Sequence, residues 1–102
     1  MELRELTDKE KGIVQRKEKV LGRKLEIQAV GYIELDHGIT LCMVTGMSLP
    51  NLFTYGATKR SALDAPNPET GMKWSFKRAL NNYARDLRIY CARETQKDAG
   101  VR

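Results

Sequence analysis

Tyr32-Ile33-Glu34-Leu35-Asp36-His37-Gly38-Ile39-Thr40-Leu41-Cys42-Met43-Val44 is the stretch that decides the architecture. Two apolar runs flank a turn signal, Asp36-His37-Gly38, in which Gly38 is free to take positive φ. The pattern predicts an antiparallel hairpin. Upstream, Leu25, Ile27 and Ala29 alternate with Glu26, Gln28 and Val30, which extends the first strand backwards with one buried side. Gly31 interrupts that run and marks a bulge or a close backbone approach. Downstream, Ile39 to Met47 is the second strand, with Ile39, Leu41 and Met43 on one side and Thr40, Cys42 and Val44 on the other. Both of its sides are fairly apolar, so it is expected to be the best covered. A loop around Pro50 leads to a shorter third strand, Leu52 to Thr58.

One helix is expected before the strands in the chain and one after them. Thr7-Asp8-Lys9-Glu10 reads as a capping box, opening a helix that runs to Val20 or Leu21. Its apolar set is thin, namely Ile13, Val14, Val20 and Leu21, with Ile13 and Val20 placed to share a face. After the loop Ser61 to Pro68, with Asn67 as cap and Pro68 at the first helical position, a second helix is expected from Glu69 to about Arg93. Met72, Phe76, Ala79, Leu80, Tyr83, Leu87 and Tyr90 recur at steps of three and four and form its apolar stripe. Trp74 falls off that stripe.

The expectation is an α+β domain of order α-β-β-β-α, with a three-stranded antiparallel sheet packed by helices on one face. At 102 residues, 41% hydrophobic, the chain suits a single domain spanning residues 1–102, with 1–6 and 94–102 as loose ends.

That order resembles the double-stranded RNA-binding domain. The likeness extends over residues 7–92. It implies a three-stranded antiparallel sheet with two helices on one face, and RNA contacts from the first helix, the first hairpin loop and a basic start to the last helix. The corresponding positions here are Asp36-His37-Gly38, a much shorter loop, and Lys73, Lys77 and Arg78, without the family's dense lysine motif. A second likeness lies in Ala57 to Gly71 and on through Arg78-Ala79-Leu80. It is similar to small proteins of phages and bacteria that themselves resemble the same fold.

Charge is unevenly spread. Residues 1–24 hold eight Lys or Arg against five Asp or Glu, residues 25–56 hold none against three, and residues 57–93 hold eight against three. The formal net charge is +5. A basic surface attracts phosphate backbones by counterion release, and it also serves plain solubility. The candidate contact residues are Lys59 and Arg60 at the end of the third strand, and Lys73, Lys77, Arg78, Arg85 and Arg88 on the last helix. Arg78 and Arg85, seven residues apart, share a face expected to point away from the sheet. Tyr32, Phe53 and Tyr55 could form a stacking platform. An exposed aromatic on an uncovered sheet face would favour a protein or a single strand as partner.

Little points to catalysis, and no enzyme is expected. His37 is the only histidine, and beside Asp36 it reads better as a polar turn residue than as a proton shuttle. Cys42 is expected to be buried and inert. The two cysteines are far apart and form no metal or redox motif, and no cofactor is expected. The absence of an apolar run long enough to span a bilayer, of a leader-like start and of a cysteine framework makes a reduced, cytoplasmic setting the expectation, with no membrane partner. The functional expectation is a small basic protein that binds nucleic acid, double-stranded or otherwise, through its phosphates without strong sequence specificity. The alternative is a phage-encoded module that binds or inhibits a host protein, with a homodimer among the arrangements considered.

Overall fold

A computed structural model describes residues 2–47, 53–59 and 68–100, with side chains of the last segment through Arg93. The elements are α1 (Asp8–Leu21), β1 (Ile27–Leu35), a short 3-10 turn (Asp36–Gly38), β2 (Ile39–Gly46), β3 (Thr54–Lys59) and α2 (Pro68–Gly100). The strands form one antiparallel sheet in the order β1-β2-β3. This is the expected architecture, and its topology matches that of a double-stranded RNA-binding domain.

Local chemistry fixes the ends of α1. Thr7 accepts from the Glu10 N–H at 3.3 Å, and the Glu10 carboxylate accepts from the Thr7 N–H at 2.8 Å. At the other end Gly22 takes a left-handed conformation and its N–H closes on the Glu18 carbonyl at 2.8 Å. A left-handed glycine is a common helix stop. In the hairpin, His37 as well as Gly38 has positive φ, 66° and 73°. Two consecutive left-handed residues suit the right-handed twist of paired strands.

The bulge in β1 is not at Gly31, which pairs in register with Met43. It lies between Ile27 and Ala29. The extra residue changes the phase of the strand. Leu25 is buried before the bulge, and Val30, expected on the opposite side from Leu25, is buried after it.

One sheet face carries the core. Val30, Cys42 and Val44 from the strands meet Phe76, Ala79, Leu80, Tyr83 and Leu87 of α2, Val14 of α1, and Leu25. Contact between α2 and β3 is close: a Cβ on Gly56 would overlap the Ala79 nitrogen and lie 2.5 Å from the Ser75 carbonyl oxygen. Past Leu87 the helix outruns the sheet. A 33-residue helix is about 50 Å long, whereas the nine residues of β1 span about 30 Å. Tyr90, expected on the buried stripe, is therefore 41% exposed.

The segment before α1 is docked rather than loose. The Arg4 N–H donates to the Val30 carbonyl and the Val30 N–H to the Arg4 carbonyl, both at 2.9 Å, so Arg4 covers the outer edge of β1. At the other end, α2 continues to Gly100, beyond the expected limit near Arg93. The expected Asn67 cap lies outside the described residues.

Residues directly opposite in an antiparallel sheet share a face. The face away from the core thus carries Ala29, Gly31, Ile33 and Leu35 of β1, Ile39, Leu41, Met43 and Thr45 of β2, and Tyr55, Ala57 and Lys59 of β3. No described element covers it.

Candidate functional site

The site begins with what holds α1 in place. Arg4 donates to both oxygens of Glu10, at 2.7 and 3.1 Å, and the Tyr32 hydroxyl donates to Glu10 Oε2 at 2.5 Å. The Arg4 guanidinium also lies 5.5 Å from the Tyr32 ring centre. Burial alone would raise the Glu10 carboxyl, but the donors from Arg4, Thr7 and Tyr32 outweigh it and hold the group below its ordinary range. Burial and the bond to Glu10 raise the Tyr32 phenol well above its own. One buried carboxylate thus joins the N-terminal segment, α1 and the core face of the sheet.

Pinned in this way, α1 lies alongside α2 and leaves a groove of about 420 Å³ between them. Ile13, Arg16, Lys17 and Val20 of α1 line it, at i, i+3, i+4 and i+7, which is one stripe of a helix. Trp74, Lys77, Arg78 and Asn81 of α2 line it at the same spacing, together with Leu80. Arg16, Lys17, Lys77 and Arg78 are cationic, and none of the nine lining residues is acidic. Trp74 is 48% exposed, with Lys77 Nζ 4.9 Å from its ring centre. Beyond α1, the Arg23 guanidinium reaches Cys91 Sγ at 3.6 Å, so the two helices run in the same sense.

The structure distributes the expected contact residues over several surfaces. Lys77 and Arg78 line the groove. Lys73 is exposed one turn before Lys77. Arg85 and Arg88 are exposed beyond the groove, and Arg85 lies 3.5 Å from Asp86. Lys59 pairs across from Ile39 and so lies on the opposite, open face of the sheet. Arg60 lies outside the described residues. The expectation that Arg78 points away from the sheet is corrected: its guanidinium donates to the Ala57 carbonyl at 2.7 Å. Asn82 donates to the Tyr55 carbonyl at 2.6 Å. Alternate residues of a strand face the same way, so these two side chains occupy the outer edge of β3. An arginine has five N–H donors, and Arg78 keeps some of them for the groove.

Arg16, Lys17 and Trp74 are the cationic and aromatic groove residues missing from the expected set. The signal for them was the repeated i, i+3, i+4, i+7 pattern on both helices. Apolar periodicity passes over it because it groups Ile13 with Val20 on one face and does not register the cations between them. Val20 is 83% exposed, and α1 docks through buried Val14 and Glu10 with Ile13 packed against the core.

Of the expected aromatic platform, Tyr32 faces the core side and binds Glu10, whereas Phe53 and Tyr55 are 53% and 48% exposed. Cys42 is fully buried, and burial pushes its thiol up to about 12, which leaves little thiolate for chemistry at neutral pH. No cluster of three potential metal ligands occurs among the described residues, nor is any described helix long and apolar enough to cross a membrane. Comparison of the chain with protein families, with curated proteins and with solved structures finds no match in any of the three.

Proposed function

We propose that the protein binds nucleic acid in the groove between α1 and α2. The observation that carries this reading is the pair of facing stripes, which brings Arg16, Lys17, Lys77 and Arg78 together around a half-exposed Trp74 with no acidic residue among the described residues of the lining. Cations in a groove track a phosphate backbone, and an aromatic ring among them offers a stacking surface for an unpaired base. Such contacts do not read sequence. The expected behaviour is micromolar or weaker binding that falls steeply with salt. Three to four phosphate contacts give a log–log slope of about −2 to −3 on single strands and about −3 to −4 on duplex.

The test is a gel-shift series with single-stranded and duplex oligonucleotides across salt concentrations, comparing the wild type with Arg16→Glu/Lys77→Glu. Both substituted side chains lie at the helix surface, whereas Arg78 also holds β3. The double reversal is expected to weaken binding at least tenfold and to flatten the salt slope by about two. Binding retained within twofold by a folded variant refutes the reading.

One observation favours a second reading, a module that meets another protein: Phe53 and Tyr55 are exposed beside an apolar sheet face. The two surfaces lie on opposite sides of the sheet, so substitutions in one leave the other intact.

A further inference from the structure

We propose that the open face of the sheet packs against the same face of a second copy of the chain, giving a six-stranded sandwich with the helices outside. An antiparallel sheet that is meant to face water alternates apolar and polar residues. This one is apolar on both faces. Ile33, Leu35 and Tyr55 stand 39%, 46% and 48% exposed on the face away from the core, around Leu41 and Met43 of the central strand. An apolar sheet face in water is a contact waiting to be covered.

The edges of the sheet are partly occupied. Arg4 pairs with Val30 on β1, and Arg78 and Asn82 bind the outward carbonyls of β3. Edge-to-edge pairing, the other common way for sheets to associate, is therefore obstructed, and the face remains. Its area is sufficient. Met47 and Phe53 flank the paired residues, two positions after Thr45 and two before Tyr55, and so continue the same face by strand alternation. With whole side chains of about 150–250 Å² for the aromatics, the exposed fractions of these two with Tyr55, Ile33 and Leu35 amount to about 500 Å² per copy, and the half-buried residues of β2 add to it. A specific interface needs about 1,000 Å² in total.

Charge favours a second copy as the occupant. Among the described residues the face has a single charged one, Lys59, and it sits at a corner, at the end of the edge strand β3. In an aligned sandwich the two-fold axis lies in the plane between the sheets. Turning a copy about an axis parallel to the strands lays β3 over β1 of the other copy with the same ends together. Lys59 then meets not its own equivalent but the end of β1, where Leu35 is followed by the carboxylate of Asp36. The contact occurs twice by symmetry.

Sedimentation equilibrium of the full chain over a concentration series tests the proposal. The wild type is expected to dimerise with a Kd of about 10–100 µM, in the range of small interfaces. Ile33→Asp/Tyr55→Asp places two carboxylates on already exposed positions. It is expected to leave a monomer with unchanged helical circular dichroism. A second set keeps the test valid if that variant fails to fold: Lys59→Asp and Asp36→Lys alone are each expected to weaken the dimer about threefold or more, and together to restore it. A chain monomeric at millimolar concentration, a dimer indifferent to the face substitutions, or a double reversal that restores nothing overturns the proposal.

Discussion

The Tyr32 hydroxyl donates to Glu10 Oε2, so a strand in the sheet holds the carboxylate that also closes the N-terminal capping box of α1. The groove depends on this bond. Among the described residues of α1, only Val14 is a buried member of the core cluster, with Ile13 packed against it. The Glu10 network with Arg4 and Tyr32 and the Leu25 N–H bond to Glu18 complete its attachment. Glu10→Ala strips the donors of Tyr32 and Arg4 of their acceptor and is expected to cost about 2–3 kcal/mol in urea unfolding. Arg4 is partly exposed, so most of that loss falls on Tyr32 and the cap. Tyr32→Phe removes one donor and is expected to cost about 1 kcal/mol. An unchanged urea midpoint for Glu10→Ala contradicts the assigned role.

The same carboxyl gives the domain an acid limit. Its pKa in the folded state lies below the ordinary 4.5, so the unfolded chain binds the proton first. The stabilisation is fully present above about pH 5 and is lost as pH falls through the folded value. In Glu10→Gln this part of the acid dependence is expected to disappear. Tyr32 acts in the opposite direction: its phenol is raised, so its contribution is present below pH 10 and is lost only in strong alkali as pH approaches the folded value. Thermal melts of the wild type and Glu10→Gln between pH 2.5 and 7 check the acid limb, and parallel curves refute it.

At Gly56 the sheet is in close contact with the backbone of α2. Gly56→Ala drives a Cβ into the Ala79 nitrogen and the Ser75 carbonyl, which are backbone atoms that cannot swing aside. Overpacking of this kind is expected to cost about 3 kcal/mol. A loss below about 1 kcal/mol by chemical denaturation contradicts the packing described.

Thr54 points in the other direction. Its hydroxyl is buried and has no hydrogen-bond partner among the described residues. Thr54→Val keeps the shape and removes the unpaired oxygen, and a gain of about 1 kcal/mol is expected in the same assay. A comparable loss shows that the hydroxyl is bonded in solution.

Secondary structure was legible in the sequence because local signals agreed. The Thr7–Glu10 capping box, the Asp36-His37-Gly38 turn and the stripe from Phe76 to Leu87 each stated their element and stand where expected. The phase of β1 was not legible. A bulge near Gln28 leaves no composition signal, whereas Gly31 offered a false one. Neither was the groove, because it depends on how two helices are placed side by side, and that placement rests on contacts distant in sequence, the Glu10–Tyr32 bond across 22 residues among them. The direction of Arg78 was missed for a related reason. A long cationic side chain on an outer helix face can still reach a strand carbonyl, and periodicity reports the direction of the Cβ and not where the guanidinium ends.

Arg85 and Arg88 separate the groove from a general attraction by the basic helix. They lie beyond the groove lining, and Arg85 already has Asp86 beside it. Arg85→Glu/Arg88→Glu is expected to change oligonucleotide affinity less than about threefold at 0.15 M salt, where the Debye length is about 8 Å. A loss equal to that of Arg16→Glu/Lys77→Glu moves the contact surface along α2.

The most direct test of the groove uses the only tryptophan of the chain, Trp74, as its reporter. Intrinsic fluorescence is followed while single-stranded and duplex oligonucleotides are added at low salt. The expected result is a saturable change in Trp74 emission that is stronger with single strands, is reversed by added salt and is lost in Arg16→Glu/Lys77→Glu. Binding seen by gel shift while Trp74 emission stays constant, or no binding to either form at low salt, contradicts the account.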